Sequence, residues 1–431
     1  MTPVLVGFVG LGVMFALIVL GMPIGFAMGL VGFLGFWALV SFNAAVVKVG
    51  VVTFDLSTNY AIGTIPLFLF MAHVLFASGI GRDLYDFAAR WLGRQRGGLA
   101  MATIGASSGF AAVSASSLAT TATMGLVALP EMRKHNYDVS LASGSVAAGG
   151  TIGSLIPPSG MFIIYGILTE TSIGAMFAAG IVPGILLALF YMVTIAIVCR
   201  LNPAAGPRGP AYPLREKLAS LGKTGEVILL FALVMGGILL GWFTPTEAGA
   251  VGAFGAVVIA TARRRLTWAA ARHAIYATLR TTGMIFGILF GAFMFNSFVT
   301  VTTIPLNIVG FVTESGFPPF AVLLLILAVY FVLGMVLDAS AMMTLTVPLF
   351  FPLVTQLGFD AVLFGVLVVR MTEIALITPP VGMNVYVLSG IARDIPLNKI
   401  FRGTLPFVIA DFCHVALLLA FPILVLWLPG L

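Results

Sequence analysis

GTIGSLIPPSGM (150–161) and TEIALITPPVGM (372–383) are two versions of one pattern: an apolar run, a Pro-Pro pair, then a small residue and methionine. A proline inside a helix removes one backbone donor and clashes with the preceding turn, so each pair must break a helix within a hydrophobic segment. Pro157-Pro158 and Pro379-Pro380 stand 222 positions apart. Without a gap, the same offset pairs Pro23 with Pro245, Pro130 with Pro352 and Asp138 with Asp360. Of the five prolines between positions 23 and 158, four have a proline partner, although overall identity along this register is unremarkable. Paired broken helices in two halves of a membrane protein point to a transport site near the bilayer midplane.

Composition supports the membrane setting. Hydrophobic residues make up 60% of the 431-residue chain and charged residues 8%, too little charge to cover a soluble surface. Long apolar runs recur from end to end, so the expected fold class is an all-α polytopic membrane protein. The first residues, MTPVLVGFVGLGVMF, lack a basic leader and read as a first span. Cys199 and Cys413 lie in apolar stretches and read as packing residues. The sequence has no His/Cys cluster of metal spacing, no Walker loop and no dinucleotide fingerprint. The net charge of +6 is a topology signal here, with no nucleic acid implied.

The chain divides into a first repeat, 1–199, a proline-rich basic linker, 200–223, and a second repeat, 224–431. About ten spans are expected. They lie near 3–20, 23–41, 60–80, 139–168 and 174–199, then 224–242, 245–262, 281–312, 361–391 and 404–428. The spans at 139–168 and 361–391 are the broken helices. Segments 44–58 and 266–280 read as helices lying along the membrane. Two re-entrant helical hairpins are expected, at about 98–130 and 319–353. The first contains SGFAAVSASSLATTAT (108–123), too polar to face lipid; non-helical backbone at that depth is tolerated only inside protein or beside water. With both termini outside, only Lys48 and the intramembrane Arg370 among the 21 Lys and Arg fall off the cytoplasmic side. Reading 98–130 as one ordinary span would reverse every later loop and destroy that asymmetry. Five spans per half is an odd number, so the repeat is inverted.

Several motifs then carry a resemblance: TIPLFLFM (64–71), SASSLATTATMG (114–125), GSLIPPS (153–159), TPTEAGA (244–250), GMVLD (334–338) and ITPPVGMN (377–384). In this order, over essentially the whole chain, they resemble the large membrane subunit of tripartite ATP-independent periplasmic (TRAP) transporters, the DctM type. The resemblance implies a sodium-driven importer of organic acids in the bacterial inner membrane, working by an elevator movement. It implies two partners, a small four-helix membrane subunit and a periplasmic substrate-binding protein. No four-span module is evident, so the small subunit is expected as a separate chain. No organic cofactor is implied; Na+ is the coupling ion.

Hairpin tips facing broken helices bring carbonyls and hydroxyls together, the oxygen ligands hard cations take. By resemblance, one sodium site falls on Ser114, Ser117, Gly153, Ile156 and Pro157, and a second on Gly334, Ala375, Thr378 and Val381. The family usually has glycine where this chain has Ala375. Small residues at such places also simply let helices pack closely. Arg370, deep in a span, suits bidentate capture of a substrate carboxylate; an internal pair with Glu373, one turn away, is the competing reading. Asp338, Asn384, Ser116 and Ser159 are further substrate candidates, the second and fourth at the starts of half-helices whose positive ends favour anions. Asp411 and His414 read as a buried structural pair, and Glu247 as a helix N-terminal carboxylate. The remaining readings are a stand-alone anion carrier of similar architecture, an ion channel and, least of all, a membrane enzyme, since Ser114–Ser117 has no His and Asp in triad arrangement.

Overall fold

The computed structural model describes residues 2–430, the side chains of Lys223 and Thr313 excepted. The first half comprises α1 (Pro3–Val19), α2 (Ile24–Leu39), α3 (Phe42–Thr58), α4 (Thr64–Ala77), α5 (Ile80–Leu92), α6 (Gly98–Ser114), α7 (Ser117–Lys134), α8 (Val139–Thr151), α9 (Gly160–Thr169) and α10 (Ile173–Leu201). The second comprises α11 (Leu214–Leu239), α12 (Pro245–Ala262), α13 (Trp268–Val301), α14 (Ile304–Glu314), α15 (Pro319–Gly334), α16 (Ala339–Gln356), α17 (Ala361–Ala375), α18 (Met383–Ile391), α19 (Leu397–Ala420) and α20 (Ile423–Leu426). No strand occurs among the described residues. Among the described residues, six helices are long and apolar enough to cross a membrane, and large apolar side chains such as Phe26, Val193 and Phe254 point outward from their helices. The chain is an all-α polytopic membrane protein.

Around the hairpins and breaks the 222-residue offset matches helix starts. Ser117 and Val139 open α7 and α8; their counterparts Ala339 and Ala361 open α16 and α17. Asp138 and Asp360 cap α8 and α17 in the same way, each carboxylate accepting two backbone N–H bonds at 2.8–3.1 Å. Such a side chain satisfies amides that a helix start leaves unpaired. Both Pro-Pro bonds are cis.

Three expectations need correction. Segments 266–280 and 281–312 are not an in-plane helix followed by a span: α13 runs unbroken for 34 residues, Trp268–Val301. The break falls instead at Thr302-Thr303, where Thr303 takes a left-handed φ of 59° and Pro305 starts α14. No proline lies between Trp268 and Val301 to interrupt the ladder. The linker at 200–223 shrinks at both ends, since α10 reaches Leu201 and α11 begins at Leu214. What remains does not hang in solvent. Ala205 O accepts from Asp138 N, Gly206 O from Gly97 N, and Gly209 N donates to Gly93 O, at 2.8–2.9 Å. Finally, α5, in a stretch between 80 and 98 where no element was expected, is an amphipathic helix burying Ile80, Leu84, Tyr85 and Ala88.

The helices pack as two groups. α1–α4 lie with α11–α13; α6–α10 lie with α15–α20. α5 and α14 join them, each packing against helices of both groups. The second group is held by very close backbone approach. A Cβ added to Gly144 would lie 2.1 Å from Gly403 O, so α8 and α19 meet where neither has a side chain.

Candidate ion and substrate site

The second group contains both hairpins and both breaks. α6 ends at Ala115, which adopts a left-handed φ of 53°, and Ser116 caps α7 by accepting from Ala119 N at 3.4 Å. The tip is therefore two residues long and presents oxygens. Ser114 Oγ lies 2.7 Å from Thr120 Oγ1 and 3.4 Å from Ser116 O. This tip sits directly on the break after α8. Ala115 O accepts from Gly160 N at 3.4 Å, and Ser117 Oγ meets Ser154 Oγ at 2.9 Å. Gly153 is the cradle: a Cβ there would lie 2.9 Å from Thr120 Oγ1 and 3.0 Å from Ser116 O. Ser114, Ser117 and Gly153 are thus drawn together, Ile156 and Pro157 follow on the same break, and all five are buried. Their facing atoms are hydroxyls and carbonyls, a donor set that fits sodium.

The second tip meets the second break similarly but with a different environment. Gly334 ends α15, and a Cβ on it would stand 2.8 Å from the Ala375 methyl. The room a glycine would give at 375 is supplied by Gly334 instead. Thr378 Oγ1 donates back to Ile374 O at 2.7 Å, while Ala375 O accepts from Thr378 N at 3.1 Å. Thr378 and Val381 are half-buried and Pro379-Pro380 exposed, whereas Pro157-Pro158 are buried. The two breaks share a pattern and differ in access.

The substrate candidates fare unevenly. Arg370 is not presented to any opening: it is wholly buried and ion-paired with Asp411 of α19, also wholly buried. Tyr191 donates to the same carboxylate at 2.7 Å, and its hydroxyl lies 2.9 Å from Thr151 Oγ1. The pairings read from sequence, Arg370 with Glu373 and Asp411 with His414, are both replaced. An i,i+3 or i,i+4 neighbour on the same helix lost to a residue 41 positions away because α17 and α19 face each other at that level. Ser159 is buried and committed: it donates to Ser154 O at 2.5 Å and accepts from Phe162 N as the cap of α9. Asp338 holds its tip as the cap of α16, accepting from Ser340 N at 3.1 Å and from the Ser340 hydroxyl. Asn384 is buried and donates to Ala147 O at 3.4 Å. Ser116 alone of the first-tip candidates is part-exposed. Glu247 forms a capping box with Thr244: its carboxylate accepts from the Thr244 backbone N–H at 2.8 Å and from the Thr244 hydroxyl.

One feature escaped sequence reading. Glu373, 1% exposed, accepts a 2.5 Å bond from Ser117 at the first tip, 256 positions away. A cleft of about 680 Å³ also lies apart from these tips, between α3, α13 and the end of α9, with Lys48, Asp55 and Glu170 on its walls.

Fold and site together define a membrane-embedded permease of the re-entrant-hairpin kind. Residues 11–424 match the family described as the DctM component of tripartite ATP-independent periplasmic transporters, and the chain belongs to that family. It is 38% identical over 88% of its length to a C4-dicarboxylate TRAP transporter large permease protein, DctM, of Pseudomonas aeruginosa, covering 86% of that protein. It is 32% identical over 98% of its length to the sialic acid large permease SiaM of Vibrio cholerae, covering 97% of it. The isethionate permease protein DctMQ of Oleidesulfovibrio alaskensis is 30% identical over the whole chain, which spans 65% of it. In fold it is similar to the YdaH transporter of Alcanivorax borkumensis, with a TM-score of 0.63 at 14% identity, over 88% of this chain and 87% of that one. The relatives are named as permease subunits, not enzymes, and the chain is the large permease subunit of a secondary transporter for organic acids.

Proposed function

We propose that this chain is the transport subunit of a sodium-driven, binding-protein-dependent importer in the bacterial inner membrane, with both termini periplasmic. The observation that carries this reading is the seating of the oxygen-rich first tip on the break after α8, with Gly153 leaving the space between them. Sodium, when bound, supplies positive charge between tip and break and couples uptake to its gradient. Ser114, Ser117 and the backbone of Gly153, Ile156 and Pro157 hold the first ion; Gly334, Ala375, Thr378 and Val381 hold the second. The substrate acid group is received between the two tips, where Ser116 and the exposed Pro379-Pro380 turn are reachable. Arg370 supports that floor from behind by fixing α17 to α19.

The division into two helix groups supports an elevator movement, in which the hairpins and broken helices slide as one body against α1–α4 and α11–α13. The two halves, 1–199 and 224–431, are then inverted copies. The partners are a four-helix membrane subunit as a separate chain and a periplasmic binding protein; the length of the DctMQ relative beyond this chain supports the former. Relatives named for dicarboxylate, sialic acid and isethionate show that one framework serves different acids. Purified protein in liposomes tests the reading. Uptake is expected only with an inward sodium gradient, the small subunit and the loaded binding protein together. Uptake by this chain alone would favour a stand-alone carrier.

A further inference from the structure

The helices that join the two groups, α5 and α14, are counterparts. The 222-residue offset carries 80–92 of α5 onto 302–314, which contains α14. Each packs against both groups, but different chemistry holds them. Asp83 of α5, 8% exposed, is clasped by two arginines from just past the end of α12. Its Oδ2 accepts from Arg265 at 2.6 Å and from Arg263 at 3.0 Å. Arg265 also donates to Ser78 O, just ahead of α5, at 3.1 Å, and Arg263 Nε donates to Glu226 of α11 at 2.8 Å. Near the other end of α5, Arg90 pairs with Glu216 of α11 at 3.2 Å. Toward the hairpin group α5 meets small residues instead. A Cβ on Gly81 would lie 2.5 Å from the Thr123 methyl of α7. Gly109 and Gly105 of α6 face Leu84 and Ala88, which stand 3.2 and 3.8 Å from where their Cβ atoms would be. Charge-assisted bonds hold one geometry and weaken steeply when it is lost. Apolar contact is non-directional, and packed helices can slide past one another on it.

α14 has no such clasp. The counterparts of Asp83 and Arg90 are Pro305 and Val312, and those of Arg263, Arg265 and Glu226 are Ser41, Asn43 and Val4. Glu314 is the one ionisable residue of α14, and no ion pair reaches it among the described residues. We infer that the two joints work unequally in the elevator movement proposed above, on which this rests. The Asp83 clasp keeps α5 with α11 and α12, and the hairpin group moves against its glycine-lined face; α14 is free to change its angle to both groups. The chain then bends between α5 and α6, in GRQRG (93–97), where Gly97 takes a left-handed φ of 72°. It does not bend at Gly79, which lies between the clasped Asp83 and the Ser78 carbonyl held by Arg265.

Distances between spin labels test this. The full chain in lipid nanodiscs, in a Cys413→Ala background that leaves only the buried Cys199, carries cysteine labels in pairs. The positions are Arg82 on α5, Leu126 on α7 and Thr261 on α12, all exposed. Pulsed electron paramagnetic resonance is recorded in NaCl and in choline chloride. Pair 126–261 reports movement between the groups and should show two populations whose weights shift with sodium. Pair 82–261 should give one narrow peak in both salts, while pair 82–126 follows 126–261. Asp83→Asn should broaden the 82–261 peak, and Asp83→Glu should keep it narrow. If 82–261 spreads together with 126–261 in the natural chain, α5 does not stay with α12 and the inference falls, whether or not Asp83→Asn folds. A folded Asp83→Asn chain with an unchanged 82–261 peak overturns it too. A single fixed 126–261 distance in both salts removes the elevator reading itself, and the inference with it.

Discussion

At the scale of single residues, the decisive atoms are those with no exit to water. Arg370 and Asp411 are 0% exposed, and removing one partner of such a pair strands the other charge. Arg370→Ala or Asp411→Ala alone should therefore destabilise the protein by roughly 3–5 kcal/mol, while the double change to apolar residues of similar volume recovers most of the loss. Melting temperatures of the two singles and the double decide this; additive losses would show that the pair is not coupled. Gly153→Ala places a methyl 3.0 Å from Ser116 O. It should cost roughly 1–3 kcal/mol by overpacking and lift the tip from the break, which thermal denaturation of the variant against the natural chain checks. Sequence made Arg370 and Glu373 visible as costly charges inside a span, and made the Ser114–Ser117 tip visible as too polar for lipid. It did not show their partners. Asp411 and Ser117 come from other helices, and choosing them depends on how each helix is rotated about its axis, which local spacing does not encode.

At the scale of elements, the repeat was legible because proline and N-cap aspartate act locally: each dictates where a helix breaks or starts whatever surrounds it. The boundary at 301–304 was less legible, since Pro305 marks the start of α14 but nothing in an apolar stretch marks α13 as continuous from Trp268. Asp138→Ala and Asp360→Ala should each cost about 1 kcal/mol, and the Asn variants much less, because Asn can cap as well. Thermal denaturation of the four variants checks whether the two halves lose equally. Near the end of α7, Arg133 donates to Asp394, between α18 and α19, at 2.9–3.1 Å. That bond holds the Asp394 carboxyl below its ordinary value. A folded-state value below the unfolded one means the contribution is present above the unfolded value, about 4, and is lost as pH falls through the folded one. The natural chain should lose slightly more stability than Asp394→Asn on acidification below about pH 4. The difference should shrink in high salt, as expected for an exposed pair.

At the scale of the whole molecule, the proposed orientation makes a test independent of transport. Cys413 is exposed and Cys199 buried, so a Cys413→Ala background removes the accessible natural thiol. On it, Lys48→Cys should react with a membrane-impermeant maleimide in intact spheroplasts. Arg208→Cys should react only after permeabilisation. The reverse pattern would turn the molecule over and overturn the assigned sidedness. The inequality between the breaks, buried Pro157-Pro158 and exposed Pro379-Pro380, belongs to this scale too. Local sequence is nearly the same at both, and the difference arises only from what the rest of the chain stacks over each.

The segment joining the halves sets a mechanical limit. Its Ala205, Gly206 and Gly209 are bonded to Asp138, Gly97 and Gly93, at the base of the first hairpin. The chain thus leaves that base at about residue 209 and enters α11 at Leu214. Only residues 210–213 are left as leash, and four residues drawn straight reach roughly 14 Å. In the proposed elevator movement, a longer stroke of the hairpin body past α11 would first have to peel those three backbone bonds away. Lengthening the leash should leave the resting state untouched and alter only how far the body can travel.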